Sequence, residues 1–132
     1  VRKILTLGML IFLSQLVAGQ VIQAKSLKPD STSYANVFVK PLYSDSLSSS
    51  FAIWIKNEVK PHKHLNHSEV VTVLRGKAIM WVGQDSSVIK KGDVIVIPKG
   101  TVHSVVTKSK KPLLVVSVQS PRFVGKDRVW VK

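Results

Sequence analysis

The stretch Lys91-Gly92-Asp93-Val94-Ile95-Val96-Ile97-Pro98-Lys99-Gly100 decides the fold class. Its run of β-branched residues, bounded by Lys-Gly on one side and Pro-Lys-Gly on the other, reads as a strand over residues 93–97. In Ile97-Pro98-Lys99-Gly100 the proline and glycine occupy the second and fourth positions, as a type I turn prefers. The apolar residues are successive rather than alternating, so both faces of this strand are expected to be covered. The same holds for Leu113-Leu114-Val115-Val116. A homodimer would cover the outer face; packing under the N-terminal strands is the other way to do so.

Outward from this stretch the pattern repeats. Strands are expected over residues 34–39, 51–56, 69–75, 78–82, 87–90, 103–107 and 113–119, with a last segment reaching 129–131. Glycine, proline and serine punctuate them, as at Gly76, Gly83 and residues 44–50. Helical periodicity is essentially absent beyond the N-terminal segment, which predicts an all-β sandwich or barrel.

Residues 1–24 have a basic start at Arg2 and Lys3, an apolar run from Ile4 to Leu13, and small residues near a cut site. They read as a secretory signal peptide, cleaved after Ala24 or alternatively after Gly19. Ser14 and Gln15 interrupt the run too early for a transmembrane helix, so no stable membrane anchor is expected after cleavage. The expected site of action is the periplasm or the outside of the cell. Residues 25–33 form a polar lead-in, and residues 34–132 the barrel domain.

The 132 residues include no cysteine, so neither a disulfide nor a thiolate ligand is available. Lysine and arginine number 20 against 7 acidic residues, a net charge of +13. The lysines are scattered, without an aromatic-studded basic stripe, so no nucleic-acid partner is expected. A small molecule is the expected partner.

The chemistry concentrates in Pro61-His62-Lys63-His64-Leu65-Asn66-His67-Ser68-Glu69, which holds three of the chain's four histidines. Side chains two apart on a strand share a face, so His62 and His64 can present two imidazoles together while Lys63 points away. Glu69, at the start of the next strand, can turn its carboxylate toward the same interior. His103, just past the Pro-Lys-Gly turn, can close the group from across the barrel. Three imidazoles and one carboxylate suit Mn, Fe, Ni or Zn, with open positions for water, dioxygen or a chelating substrate. A His-x-His alone would equally suit exposed loop histidines. His67 is expected to be a loop residue, or a hydrogen-bond donor or proton carrier behind the ligands. Trp54, Trp81 and Trp130 could line a pocket or belong to the core.

With these residues in view, the sequence resembles the cupin superfamily. The first cupin motif, G-x5-H-x-H-x3-4-E-x6-G, is matched by His62, His64, Glu69 and Gly76. The second, G-x5-P-x-G-x2-H-x3-N, is matched by Gly92, Pro98, Gly100 and His103. Lys56 stands in place of the first motif's opening glycine, and Thr107 in place of the second motif's asparagine, which puts local turn geometry in question. The resemblance implies a double-stranded β-helix, or jelly roll, with a divalent metal held by His62, His64, Glu69 and His103. It implies either a small metalloenzyme of dioxygenase-like or related type, acting on an oxygen-rich molecule, or a non-catalytic module of the cell envelope that binds a metal, sugar or anion.

Overall fold

The apolar β-branched runs pair into ten strands in a computed structural model that describes residues 19–131. They are β1 (Val37–Ser44), β2 (Ser49–Ile55), β3 (Glu58–Lys63), β4 (Ser68–Arg75) and β5 (Lys77–Val82), followed by β6 (Asp85–Lys90), β7 (Val94–Ile97), β8 (His103–Thr107), β9 (Leu113–Ser120) and β10 (Val129–Trp130). Among the described residues the helical structure is a 3-10 turn at Ala24–Ser26, and no helix is long and apolar enough to cross a membrane. Most of the expected signal peptide lies outside the described residues.

Two five-stranded antiparallel sheets form, in the orders β1-β2-β9-β4-β7 and β10-β3-β8-β5-β6. The chain passes from one sheet to the other between β2 and β3 and again between β3 and β4, which places the His62 strand and the Glu69 strand on opposite walls. The first expected strand is displaced, beginning at Val37 rather than residue 34. The strand β3, which carries His62, is interrupted by Pro61 and shifts register between Val59 and His62, as a proline near a sheet edge demands.

Between the sheets lie Ile55, Val71, Val73, Ala78, Met80, Ile89, Ile97, Val105, Leu113 and Val115. Full burial of each larger aliphatic side chain contributes roughly 1.5–3 kcal/mol. The inward positions of β4 run Glu69, Val71, Val73, and those of β9 run Leu113, Val115, Ser117, Gln119. Register places Glu69 opposite Gln119 and Val71 opposite Ser117. The interior therefore grades from aliphatic to polar along one pair of strands.

A second cluster covers part of the outer face of the β1-containing sheet. Ala52, Trp54 and Leu114 are buried there beneath Leu27, Tyr34, Phe38 and Leu42. The lead-in is thus docked: Leu27 packs into this cluster, Asp30 pairs with Lys40, and the Lys56 ammonium donates to the Tyr34 carbonyl and sits 4.1 Å from the centre of its ring. The cover is incomplete. Val94 and Val96 stay 60% and 63% exposed, contrary to the expectation that both faces of β7 are covered; β7 is the edge strand farthest from β1, beyond the reach of the lead-in.

The two motif departures have local explanations. Among the described residues only glycines have positive φ, so Lys56 occupies ordinary backbone and a glycine is not required there. The Thr107 hydroxyl donates to the Ile55 carbonyl at 3.0 Å, tying β8 to the end of β2. Gly76 is different: its φ is +96°, and an added Cβ would lie 2.9 Å from Ser109 Oγ and 3.0 Å from Leu113 Cα. Any side chain there would push β4 and β9 apart.

Candidate metal centre

The four expected ligands meet inside one end of the barrel. His62 and His103 face each other across β3 and β8, with ring centres 4.2 Å apart. His64, one residue past β3, lies 5.2 Å from His62 and 5.3 Å from His103 by ring centres. One nitrogen from each of the three falls within 4.8 Å of the others. Glu69 reaches them from the opposite sheet, with Oε2 at 3.3 Å from His103 Nε2 and 3.6 Å from His64 Nε2. All four side chains are buried.

Hydrogen bonds behind the rings select the tautomers. His62 Nδ1–H donates to the Lys60 carbonyl at 2.8 Å, His103 Nδ1–H to the Thr101 carbonyl at 3.0 Å, and His64 Nδ1–H to the Asp127 carbonyl at 2.5 Å. Each imidazole then aims an Nε2 lone pair at the common centre. The turn predicted at Pro98-Lys99-Gly100 also has a role: the Gly100 N–H donates to the His64 carbonyl at 2.5 Å, joining the two motifs.

Glu69 is held from the other side. Its Oε1 accepts from the Ser117 hydroxyl at 2.5 Å and from the Gln119 amide at 3.4 Å. Burial opposes its ionisation, but the His103 and His64 imidazoles beside it and the Ser117 hydroxyl outweigh that and hold the carboxyl well below its usual range. Burial depresses His62 to about 4, and the neighbouring His103 and Arg128 charges add to the effect. Burial likewise acts against charge on His64, but the Glu69 carboxylate and the Asp127 carbonyl overcome it and raise its pKa.

These tautomers test the fit of a cation. Three imidazole lone pairs converge with a carboxylate oxygen, and a proton or a metal ion must lie between them to offset the repulsion. His103 Nε2 is buried without a hydrogen bond, although Glu69 Oε2 lies 3.3 Å away. The donor set fits a divalent first-row ion.

His67 lies in the loop between β3 and β4, as expected, but it is buried and hydrogen-bonded there. It is 3% exposed, with Nδ1 at 2.6 Å from Asp127 Oδ2 and Nε2 at 2.9 Å from Gln119 Oε1. Burial, then the neighbouring His64, lowers its pKa against the pull of Asp127. Asp127 in turn accepts from the backbone N–H groups of Leu65 and Asn66 and from the Asn66 amide. Burial opposes its charge, but the Asn66 and Leu65 N–H groups prevail and its pKa is lowered. Although His64, His67 and Asp127 are close enough to hold an ion, neither nitrogen of His67 is open to one. The trio is a hydrogen-bonded clamp that closes the turn between His64 and Glu69.

Ser117, Gln119 and Asp127 escaped the sequence reading. The first two become legible only by extending the inward alternation of β9 past its aliphatic residues. Asp127 lies in an irregular segment near the C-terminus and carries no local signal. Of the tryptophans, Trp54 is core, while Trp130 stands beside His62 and lines the cavity.

Two antiparallel sheets closing on a buried three-histidine, one-glutamate cluster define a small β-barrel of jelly-roll type with a candidate metal centre. Residues 52–119 match the cupin domain family, and the chain belongs to that family. An uncharacterised protein of Aquifex aeolicus is 37% identical over 84 residues, 64% of this chain and 69% of that protein. A conserved double-stranded β-helix protein from Klebsiella pneumoniae superposes with a TM-score of 0.71 at 18% identity, covering 87% of this chain and 99% of that one. KdgF from a Halomonas species gives 0.69 at 18% identity, covering 81% and 97%. The structural likenesses concern the fold.

Proposed function

We propose that His62, His64, Glu69 and His103 hold Mn, Fe, Ni or Zn, and that the chain is a small metalloenzyme, dioxygenase-like or related, acting on an oxygen-rich small molecule. The observation that carries this reading is the shared tautomer of the three histidines, each Nδ1–H bonded to a backbone carbonyl and each Nε2 left for the centre. Bound there, the ion supplies Lewis acidity, or redox chemistry if it is Fe or Mn.

The chain's own residues do the rest. Ser117 and Gln119 fix the orientation of the Glu69 carboxylate. The Asp127 clamp holds the turn that spaces His64 from Glu69. The aliphatic lining, with Val71, Met80, Ile97 and Val105, gives a cavity of about 280 Å³ an apolar wall, and an apolar surrounding strengthens electrostatic interactions at the centre. Elemental analysis of protein folded in its own compartment tests the assignment. Stoichiometric metal that is lost in Glu69→Ala and His103→Ala supports it, and equal content in both variants refutes it.

A second reading is a metal- or small-ligand-binding module without turnover. It is favoured by the buried part of the same lining, which around the ligand cluster is mostly Val, Ile, Leu and Met, the acidic and basic side chains Glu58, Lys60 and Arg128 standing only at its exposed edge. Oxygen uptake with Fe or Mn restored, screened over catechols, flavonols, oxalate and thiol acids, separates the two. Export and dimerisation complete the proposal. The bare valines of β7 support a homodimer, checked by light scattering, and N-terminal sequencing of the mature protein checks cleavage after Ala24 or Gly19.

A further inference from the structure

The lining of the cavity divides by exposure. Its buried part is aliphatic around the ligand cluster, whereas its exposed part includes Glu58, Lys60, Arg128 and Trp130. Arg128 has no carboxylate within ion-pair distance among the described residues. Its guanidinium carbon lies 5.7 Å from the centre of the Trp130 ring, and Trp130 is paired with His62 across β10 and β3, their rings 5.4 Å apart. An aromatic plate thus holds a cation beside the cluster.

A planar guanidinium without a partner, at the edge of an apolar cavity, is a fork for a carboxylate. Lys60 adds a second positive charge and Glu58 one negative charge, so the exposed lining is net positive by one. That balance favours a monoanion over a dianion such as a phosphate monoester. The cavity's volume of about 280 Å³ falls just below the usual span of ligand pockets, roughly 300–1,000 Å³, and so suits a small molecule.

We propose that the cavity takes a small monocarboxylate with an apolar body, its carboxylate paired with Arg128 and its hydrocarbon part in the aliphatic interior. This rests on the reading of the cavity as the ligand site, but not on the identity or presence of the ion, and it replaces the oxygen-rich class with a molecule whose oxygens sit in its carboxylate head. The uncharged face of the molecule meets Val71, Met80 and Val105, and Arg128 sets specificity for its head.

The test is calorimetric titration of the full chain, as purified, with 3-phenylpropionate, 3-phenylpropanol and phenyl phosphate, with metal content measured on the same samples. The acid is expected to bind most tightly. Arg128→Gln should weaken the acid by about tenfold or more, in line with loss of a charge-assisted pair, Arg128→Lys should weaken it less, and the alcohol should change little. Arg128 is exposed, so the fold should survive, and thermal melting checks this. The proposal is overturned if the acid binds no better than the alcohol, if phenyl phosphate is preferred, if Arg128→Gln leaves the acid unchanged, or if none of the three binds at millimolar concentration. A protein without metal that retains the acid preference would sink the metal reading and leave this one standing.

Discussion

His103 and His67 are the same residue type, similarly buried at 4% and 3% exposure, and each stands beside a carboxylate, Glu69 at 3.3 Å for His103 and Asp127 at 2.6 Å for His67. Their second nitrogens differ. His103 spends Nδ1–H on the Thr101 carbonyl and leaves Nε2 buried without a hydrogen bond, whereas His67 has both nitrogens engaged, by Asp127 and Gln119. Burial alone does not make a histidine a ligand. What decides is whether the surrounding groups consume one nitrogen or two, since a buried lone pair left open needs a cation to offset its desolvation.

The largest expected effect breaks the open member of the pair. His103→Ala should reduce metal affinity by more than the roughly 10–100-fold typical of altering a ligand's hydrogen-bond partner, measured by competition with a chromophoric chelator. Retention of wild-type affinity would remove the distinction between the two histidines.

The next effect concerns pH. His62 is depressed to about 4 in the folded chain against 6.5 unfolded, so between those values the unfolded state binds more protons. Its contribution is present above about 6.5 and is lost as pH falls toward 4, a change of about 3 kcal/mol for this group. His64, raised in the folded state, acts in the opposite sense. Urea denaturation of metal-depleted protein should therefore show a shallower loss of stability between pH 6.5 and 4 in His62→Gln than in wild type; parallel slopes would contradict the assignment.

Asp127→Ala attacks the closed member. It strips the acceptor from the Leu65 and Asn66 N–H groups and from His67, and should cost about 2 kcal/mol of stability for the buried groups left unpaired. Circular-dichroism melts read this directly, and an unchanged melting temperature would show that the clamp carries no strain-bearing contact. His67→Gln should have the smallest effect on the ion, about tenfold or less in affinity by the same chelator competition. A loss as large as that of His103→Ala would make His67 a ligand after all.

The outer faces of the barrel offer a second contrast. At one end of the β1-containing sheet, Trp54 and Leu114 are sealed by Leu27 and Tyr34. At the other, Val94 and Val96 are bare. Continuous apolar runs in β7 and β9 look alike in the sequence, but only β9 lies near enough to β1 to be covered. The runs identified buried-type strands without showing which neighbour, if any, would bury them.

Most of the candidate metal centre was legible for a local reason. His62 and His64 are two residues apart, Glu69 opens the following strand, and the Pro-Lys-Gly turn delivers His103, so spacing along the chain nearly dictates spacing in the barrel. The turn glycines were legible too, and Gly76 has a conformation and a contact that no side chain tolerates. The burial of His67 was not legible, because its partners, Gln119 and Asp127, are 52 and 60 residues away and nothing near it announces the contacts they make.

By itself, then, the sequence determined the all-β class, the turns and the identities of four inward-facing donors, because strand alternation and turn chemistry act over a few residues. Tertiary structure alone decided the rest. It chose which ring nitrogens stay open, placed Ser117 and Gln119 behind Glu69, brought Asp127 onto the His64–Glu69 turn and set Arg128 with Trp130 at the cavity. These depend on hydrogen bonds and packing between strands distant in the chain, where the closing of two sheets rather than local preference sets the distances.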